Sequence, residues 1–257
     1  RPTAVLPVMH TRFVLIQTSH AGNVGAVARA MKVMGFTDLV LVAPRWPDVL
    51  SRPEAVERAS GATEVLAQAR VVARLDEALD GMGHVCATAM TPRDFGPPTR
   101  APRAHFAQLL APAGPPPPQG VAFLFGSERY GLRNEDVYRS HVCLSIPTAP
   151  DYGSLNIAAA AQLIAYDWRQ ALGGHAVAPA TAPAALADAA QVAGMLSHLQ
   201  EALVDIAFLD PAAPKKLMPR LQQLFNRAGL TQEEIHILRG MARAMSAAAQ
   251  AGARRRG

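Results

Sequence analysis

Phe13-Val-Leu-Ile-Gln-Thr-Ser-His-Ala-Gly-Asn23-Val-Gly25-Ala-Val-Ala-Arg29-Ala-Met-Lys-Val-Met-Gly35-Phe-Thr-Asp-Leu39-Val-Leu-Val42 decides the fold. Its two ends, Phe13 to Ile16 and Leu39 to Val42, are short unbroken apolar runs, the pattern of strands covered on both faces. Between them Val24, Val27, Ala28, Met31 and Met34 recur at helical spacing, and Gly35 stands where a helix stops. The stretch reads as strand, helix, strand. Working outward, His84-Val-Cys-Ala-Thr88, Val121-Ala-Phe-Leu-Phe125 and Val142-Cys-Leu-Ser-Ile146 repeat the strand pattern. Helices are predicted over 53–69, 76–80, 134–139 and 154–172, the last with a stripe of Ile157, Ala161, Ile164 and Trp168. The alternation predicts an α/β domain whose parallel sheet is flanked by helices.

This first domain is expected to span 1–172. Residues 173–184, opening with Gly173-Gly-His-Ala-Val-Ala-Pro, are small, uncharged and suited to an exposed linker. Beyond it, 185–257 reads as a small all-α domain. Val192, Leu196, Leu199, Leu203 and Ile206 line one helix, and Leu217, Leu221 and Leu224 a second. A third opens on the capping box Thr231-Gln-Glu-Glu234 and continues through Ile235, Leu238, Met241 and Met245. Ala113-Gly-Pro-Pro-Pro-Pro reads as a stiff surface loop and Arg254-Arg-Arg-Gly as a basic solvated tail.

At 257 residues, half of them hydrophobic, the chain can bury a substantial core. Leu155 to Trp168, its longest nearly apolar stretch, is interrupted by Asn156, Gln162 and Asp167 and is shorter than the roughly 20 residues that span a bilayer. The first residues lack the apolar core of a secretory signal, so a cytoplasmic location and no membrane contact are expected. The formal charge of +5 favours an anionic partner, nucleic acid first. Only two cysteines occur, Cys86 and Cys143, in separate strand-like runs, and a zinc site would need more ligands at close spacing, so no metal is expected.

Three loops follow strands and predict one composite site, since ligands of parallel sheets bind at strand carboxyl ends. In the first, Asn23 either caps its helix or faces a ligand. Gly25 and Arg29 share a helix face, where the glycine admits a close approach and the arginine suits an anion. The second, Phe125-Gly126-Ser-Glu128-Arg-Tyr-Gly131, lacks the Gly-x-Gly-x-x-Gly spacing of a dinucleotide loop, and Glu128 would repel a pyrophosphate. The third, Ile146-Pro-Thr-Ala-Pro-Asp-Tyr-Gly153-Ser154-Leu155-Asn156, runs into a helix start, with Ser154 as the expected N-cap and Asn156 just inside the helix.

Taken in order, Asn23 with Arg29, then Phe125-Gly126-x-Glu128-x-x-Gly131-Leu132, then Ile146-Pro147 with Ser154-Leu155-Asn156, resemble the three motifs of the SPOUT superfamily of RNA ribose methyltransferases. The C-terminal segment, with Lys215-Lys-Leu-Met-Pro-Arg220 and Ile237-Leu-Arg-Gly-Met, is similar to that of the bacterial TrmJ type, which acts on the first nucleotide of the tRNA anticodon loop. The resemblance implies S-adenosylmethionine as donor, a ribose 2'-hydroxyl as acceptor, a C-terminal trefoil knot, and a homodimer whose active site draws on both subunits. It implies donor contacts at Thr88, Ala89, Met90, Gly126, Ile146, Gly153, Ser154 and Leu155. Arg29 becomes the main catalytic residue, with Asn23, Glu128, Ser154 and Asn156 around it. A guanidinium keeps its proton, so Arg29 is expected to stabilise the developing alkoxide and hold RNA phosphate, while the proton leaves through water or Ser154. Beside such a domain, Lys216, Arg220 and Arg227, spaced by four and seven, are expected to contact RNA. The rival readings are an rRNA methyltransferase and a non-catalytic RNA-binding protein of the same fold. A nucleotide-dependent oxidoreductase is disfavoured by the missing glycine fingerprint.

Overall fold

The computed structural model describes residues 9–89, 91–178 and 184–254. The chain divides after Ala176 into two compact units. The first is built on β1 (His10–Ile16), β2 (Asp38–Val42), β3 (Arg70–Val72), β4 (His84–Thr88), β5 (Thr99–Arg100), β6 (Gly120–Phe125) and β7 (Val142–Leu144), in the order β3-β2-β1-β6-β4-β7-β5. Every neighbouring pair is parallel, so all strand carboxyl ends share one rim.

Alternate side chains of each strand point to opposite faces, and both faces are covered. Phe13, Leu15, Leu39, Leu41, Phe123 and Phe125 pack under α1 (Ala21–Val33), α2 (Pro53–Ala59), α3 (Thr63–Gln68), α5 (Pro102–Leu109) and α7 (Ile157–Ala171). Val14, Val40, Ala122 and Leu124 pack on the other side, against α4 (Leu75–Leu79) and α6 (Asn134–Tyr138). The stripe of α7 is buried as its spacing predicts, and Trp168 Nε1 donates to Thr11 Oγ1 at 2.9 Å beneath it. Arg12 is also buried. Its Nε donates to Asp38 at 2.8 Å and its Nη1 to the carbonyls of Ala78 and Asp80, which meets the cost of enclosing a charge.

The predicted helix over 53–69 is two helices, broken where Ser60 takes a φ of 51°. The third predicted strand-to-helix loop is longer than read. β7 ends at Leu144, and α7 opens at Ile157 with Asn156, not Ser154, as its N-cap. The strands β3 and β5 and the helix α5 carry too few apolar positions to show a period.

The second unit holds α8 (Ala189–Asp205), α9 (Leu217–Ala228) and α10 (Gln232–Arg254). Asp188 and Gln191 cap α8 reciprocally, and Thr231 with Glu234 caps α10 as the sequence predicts. Met195, Leu196, Leu230 and Ile235 form its core, with Val192, Leu221, Phe225 and Leu238 packed against it. Met241 departs from its predicted stripe. It is 59% exposed, and Ala242 takes the buried place because the stripe drifts round a straight helix.

Candidate active site

Glu128 ties the rim together. Its turn is tight because Gly126 packs on Gly131, where a Cβ on Gly126 would stand 2.0 Å from the Gly131 carbonyl carbon. Ser127 and Gly131 exchange backbone hydrogen bonds at 3.2 and 2.9 Å, and Gly131 has a φ of 66°, which glycine adopts freely. The turn at the end of β6 thus presents the Glu128 carboxylate to the loop after β1. There it accepts from Thr18 Oγ1 at 2.8 Å, Ser19 N and Oγ at 2.8 Å, His20 N at 3.3 Å and Asn23 Nδ2 at 3.0 Å.

The N-cap of α1 is His20, whose side chain makes no capping bond. Glu128 supplies that function from outside the helix, placing an anion at its positive end. Burial pushes the Glu128 carboxyl up, but the bonds from Asn23 and from Ser19 outweigh it and hold the group at about 2. Asn23 passes the link on: its Oδ1 accepts from Asn156 Nδ2 at 3.2 Å, and Asn156 Oδ1 accepts from Ala158 N at 2.8 Å to cap α7. One hydrogen-bonded chain, Glu128 to Asn23 to Asn156, therefore joins all three loops.

Beside it lies a cavity of about 280 Å³. Thr88 and Ala89 at the end of β4, Gly126 after β6, Ile146 after β7, and Gly153, Ser154 and Leu155 before α7 all line it, so these expected donor contacts converge, with Glu128 beside them. Met90 lies outside the described residues. Leu132 of the second motif and Ile157 of the α7 stripe also line the cavity, as do Thr91 and Arg93, which no spacing in the sequence marked. A second hollow of about 480 Å³ is lined by His20, Gly22, Asn23, Ala26, Arg58 and Asn156.

Two readings of the first loop change. Gly25 clears space for α2 and not for a ligand, since a Cβ there would meet the Ala55 carbonyl oxygen at 1.9 Å. Arg29 is exposed, lines neither hollow, and makes no hydrogen bond or ion pair among the described residues. In the second unit, Lys216 is the N-cap of α9, and Lys216, Arg220 and Arg227 are all exposed. Thr18 and Ser19 went unmarked, although two hydroxyls directly after a strand are a natural match for a carboxylate.

The histidines also behave differently in space than along the chain. His84, Cys86 and His105 bring possible ligand atoms within 4.8 Å of one another. His84 Nε2 lies 3.0 Å from His105 Nε2, and the His141 ring stacks on His84 at 4.9 Å. Burial, then the charges of His105 and His141, hold His84 down at about 4, and burial pushes the Cys86 thiol up. The group lies at the amino end of β4 and so at the opposite rim from the cavity.

Comparison with known proteins bears on this arrangement. The SpoU rRNA Methylase family matches residues 10–166, and the tRNA methyltransferase TrmJ C-terminal domain matches 190–254. The chain is 39% identical over 242 residues to tRNA (cytidine/uridine/adenosine-2'-O-)-methyltransferase TrmJ of Pseudomonas aeruginosa, covering 90% of this chain and 91% of that protein. It is 38% identical over 242 residues to tRNA (cytidine/uridine-2'-O-)-methyltransferase TrmJ of Klebsiella pneumoniae, covering 91% and 95%. Among solved structures, TrmJ from Z. mobilis superposes with a TM-score of 0.75 at 31% identity over 92% of this chain and 99% of that one. A probable methyltransferase from Bordetella pertussis gives 0.56 at 44% identity, over 64% and 96%.

Proposed function

The chain belongs to the SpoU rRNA methylase family and carries at residues 190–254 the C-terminal domain of the tRNA methyltransferase TrmJ, and from that premise we propose that it methylates a ribose 2'-hydroxyl of tRNA from S-adenosylmethionine. The position we propose is the first nucleotide of the anticodon loop, and the setting the cytoplasm. The observation that carries the reading is the Glu128–Asn23–Asn156 chain, which joins three loops beside one cavity.

The lining fits the donor. Leu132, Leu144, Ile146 and Leu155 offer an apolar wall to an adenine, and an ionised Glu128 favours a cationic sulfonium where it would repel a pyrophosphate. S-adenosylmethionine, when bound, supplies a methyl group activated by a neutral leaving thioether. The chain must then align the hydroxyl and help it lose its proton. Asn23 and Asn156 fix the loops that face the ribose. Ser154 lines the cavity and makes no hydrogen bond among the described residues, which leaves its hydroxyl available to relay that proton. Arg29 stabilises the developing alkoxide and holds an adjacent phosphate.

Arg29 stands apart from both hollows, and this supports a homodimer in which each active site takes its arginine from the other subunit. The strand order supports the knot. β5 lies outside β7, so the connection from β4 to β5 crosses the end of β7, where the chain also leaves toward α7. The second reading, an rRNA substrate, keeps the support of the family description. The helical domain shared with TrmJ favours tRNA. Incubation with donor and either unmodified tRNA or unmodified rRNA decides between them. Methyl label on tRNA alone is expected. Label on rRNA alone overturns the substrate, and donor binding without transfer to either overturns the enzyme.

A further inference from the structure

We infer that the loop after β2 and the last turn of α2 hold the RNA nucleotide next to the one methylated, an inference that rests on the function proposed above. Arg45 N donates to the Thr18 carbonyl at 3.0 Å, and the Thr18 hydroxyl donates to Glu128, so this loop is anchored to the hub of the active site. It carries Trp46, half-buried, with the Arg45 and Arg52 guanidinium carbons 4.7 and 4.0 Å from its ring centroid. Arg58 lays its stem over Gly22 and lines the hollow that Asn23 and Asn156 share.

These arginines have no internal task that accounts for them. Arg52 gives its Nε to Asp48 at 3.1 Å, but Arg45 and Arg58 make no side-chain hydrogen bond or ion pair among the described residues. Glu54 and Glu57 share α2 with Arg58, and neither pairs with it. Guanidinium groups stacked on an indole are held flat with their N–H edges outward, the arrangement that meets a phosphodiester. Unpaired RNA loops are gripped by aromatic and arginine stacking together with phosphate contacts. β2 lies two strands from β6, roughly 10 Å at the usual spacing, which puts the patch within a nucleotide's reach of the cavity. Arg45 and Arg58 accordingly take phosphates, and Trp46 takes a base.

The chain has two tryptophans, and Trp168 is fully buried with its N–H bonded, so the emission of Trp168 is a constant background and bound RNA can stack only on Trp46. Titration with an unmodified tRNA should quench its fluorescence in the wild type and leave Trp46→Phe unquenched. Arg45→Ala with Arg58→Ala should bind tRNA about tenfold more weakly, and the slope of log affinity against log salt should fall by about 1.4, at ~0.7 per single-strand phosphate contact. Both side chains are exposed, so donor affinity and melting temperature should stay at wild-type values. A wild type that methylates tRNA beside a double variant of unchanged affinity and slope overturns this contact alone. A wild type that methylates no RNA overturns the function and the contact with it.

Discussion

Glu128 caps a helix that begins more than a hundred positions earlier in the chain, and this explains why its role could be found in the structure and not in a motif. Its type and its position between two glycines marked it in the sequence, as did the amides Asn23 and Asn156. Which side chain would serve which helix was not legible, because capping signals are local and this cap comes from another loop. Glu128→Gln keeps the shape but weakens acceptance from Thr18, Ser19 and Asn23, so a loss of about 2 kcal/mol is expected, read by denaturant unfolding at pH 7. The native carboxyl sits at about 2, below its ordinary 4.5, so the stabilisation is complete above pH 4.5 and fades as pH falls toward 2. The gap between wild type and variant should narrow over that window. His84 also titrates below its ordinary value, at about 4 against 6.5, and the unfolded chain therefore binds more protons between those values. Stability should fall as pH drops from 6.5 to 4, and His84→Leu should flatten that slope in thermal melts.

Elements were legible where burial was two-sided. β1, β2, β4 and β6 carry unbroken apolar runs because helices cover both faces of the sheet, and α1 and α7 show their stripes because each keeps an exposed side. β3 is three residues long and β5 two, and each borrows its register from a neighbour, so neither announces itself. Gly25 is where an element contact was mistaken for a ligand contact. The absence of a side chain reads the same whether a helix or a substrate needs the room, and here the α2 backbone fills it. Gly25→Ala should force α1 and α2 apart and cost about 3 kcal/mol, measured as a drop in unfolding free energy, with most of that cost in overpacking. An unchanged midpoint would show that the two helices do not meet there.

For the whole molecule, two units serve one substrate in the function we propose. The catalytic unit carries the cavity, and the helical unit carries exposed Lys216, Arg220 and Arg227. Replacing all three with alanine should lower the salt slope of tRNA binding by about 2, at ~0.7 per contact, while donor affinity holds. An equal slope would reduce these residues to a solvated face. The most direct test of the account is transfer of labelled methyl from S-adenosylmethionine to unmodified tRNA by wild type and Arg29→Ala, with the product nucleoside identified by mass spectrometry. The prediction is a ribose-methylated pyrimidine at the first anticodon-loop nucleotide, formed about a hundredfold more slowly by the variant at unchanged donor affinity. Label on a base, or transfer by the variant at the wild-type rate, would contradict it.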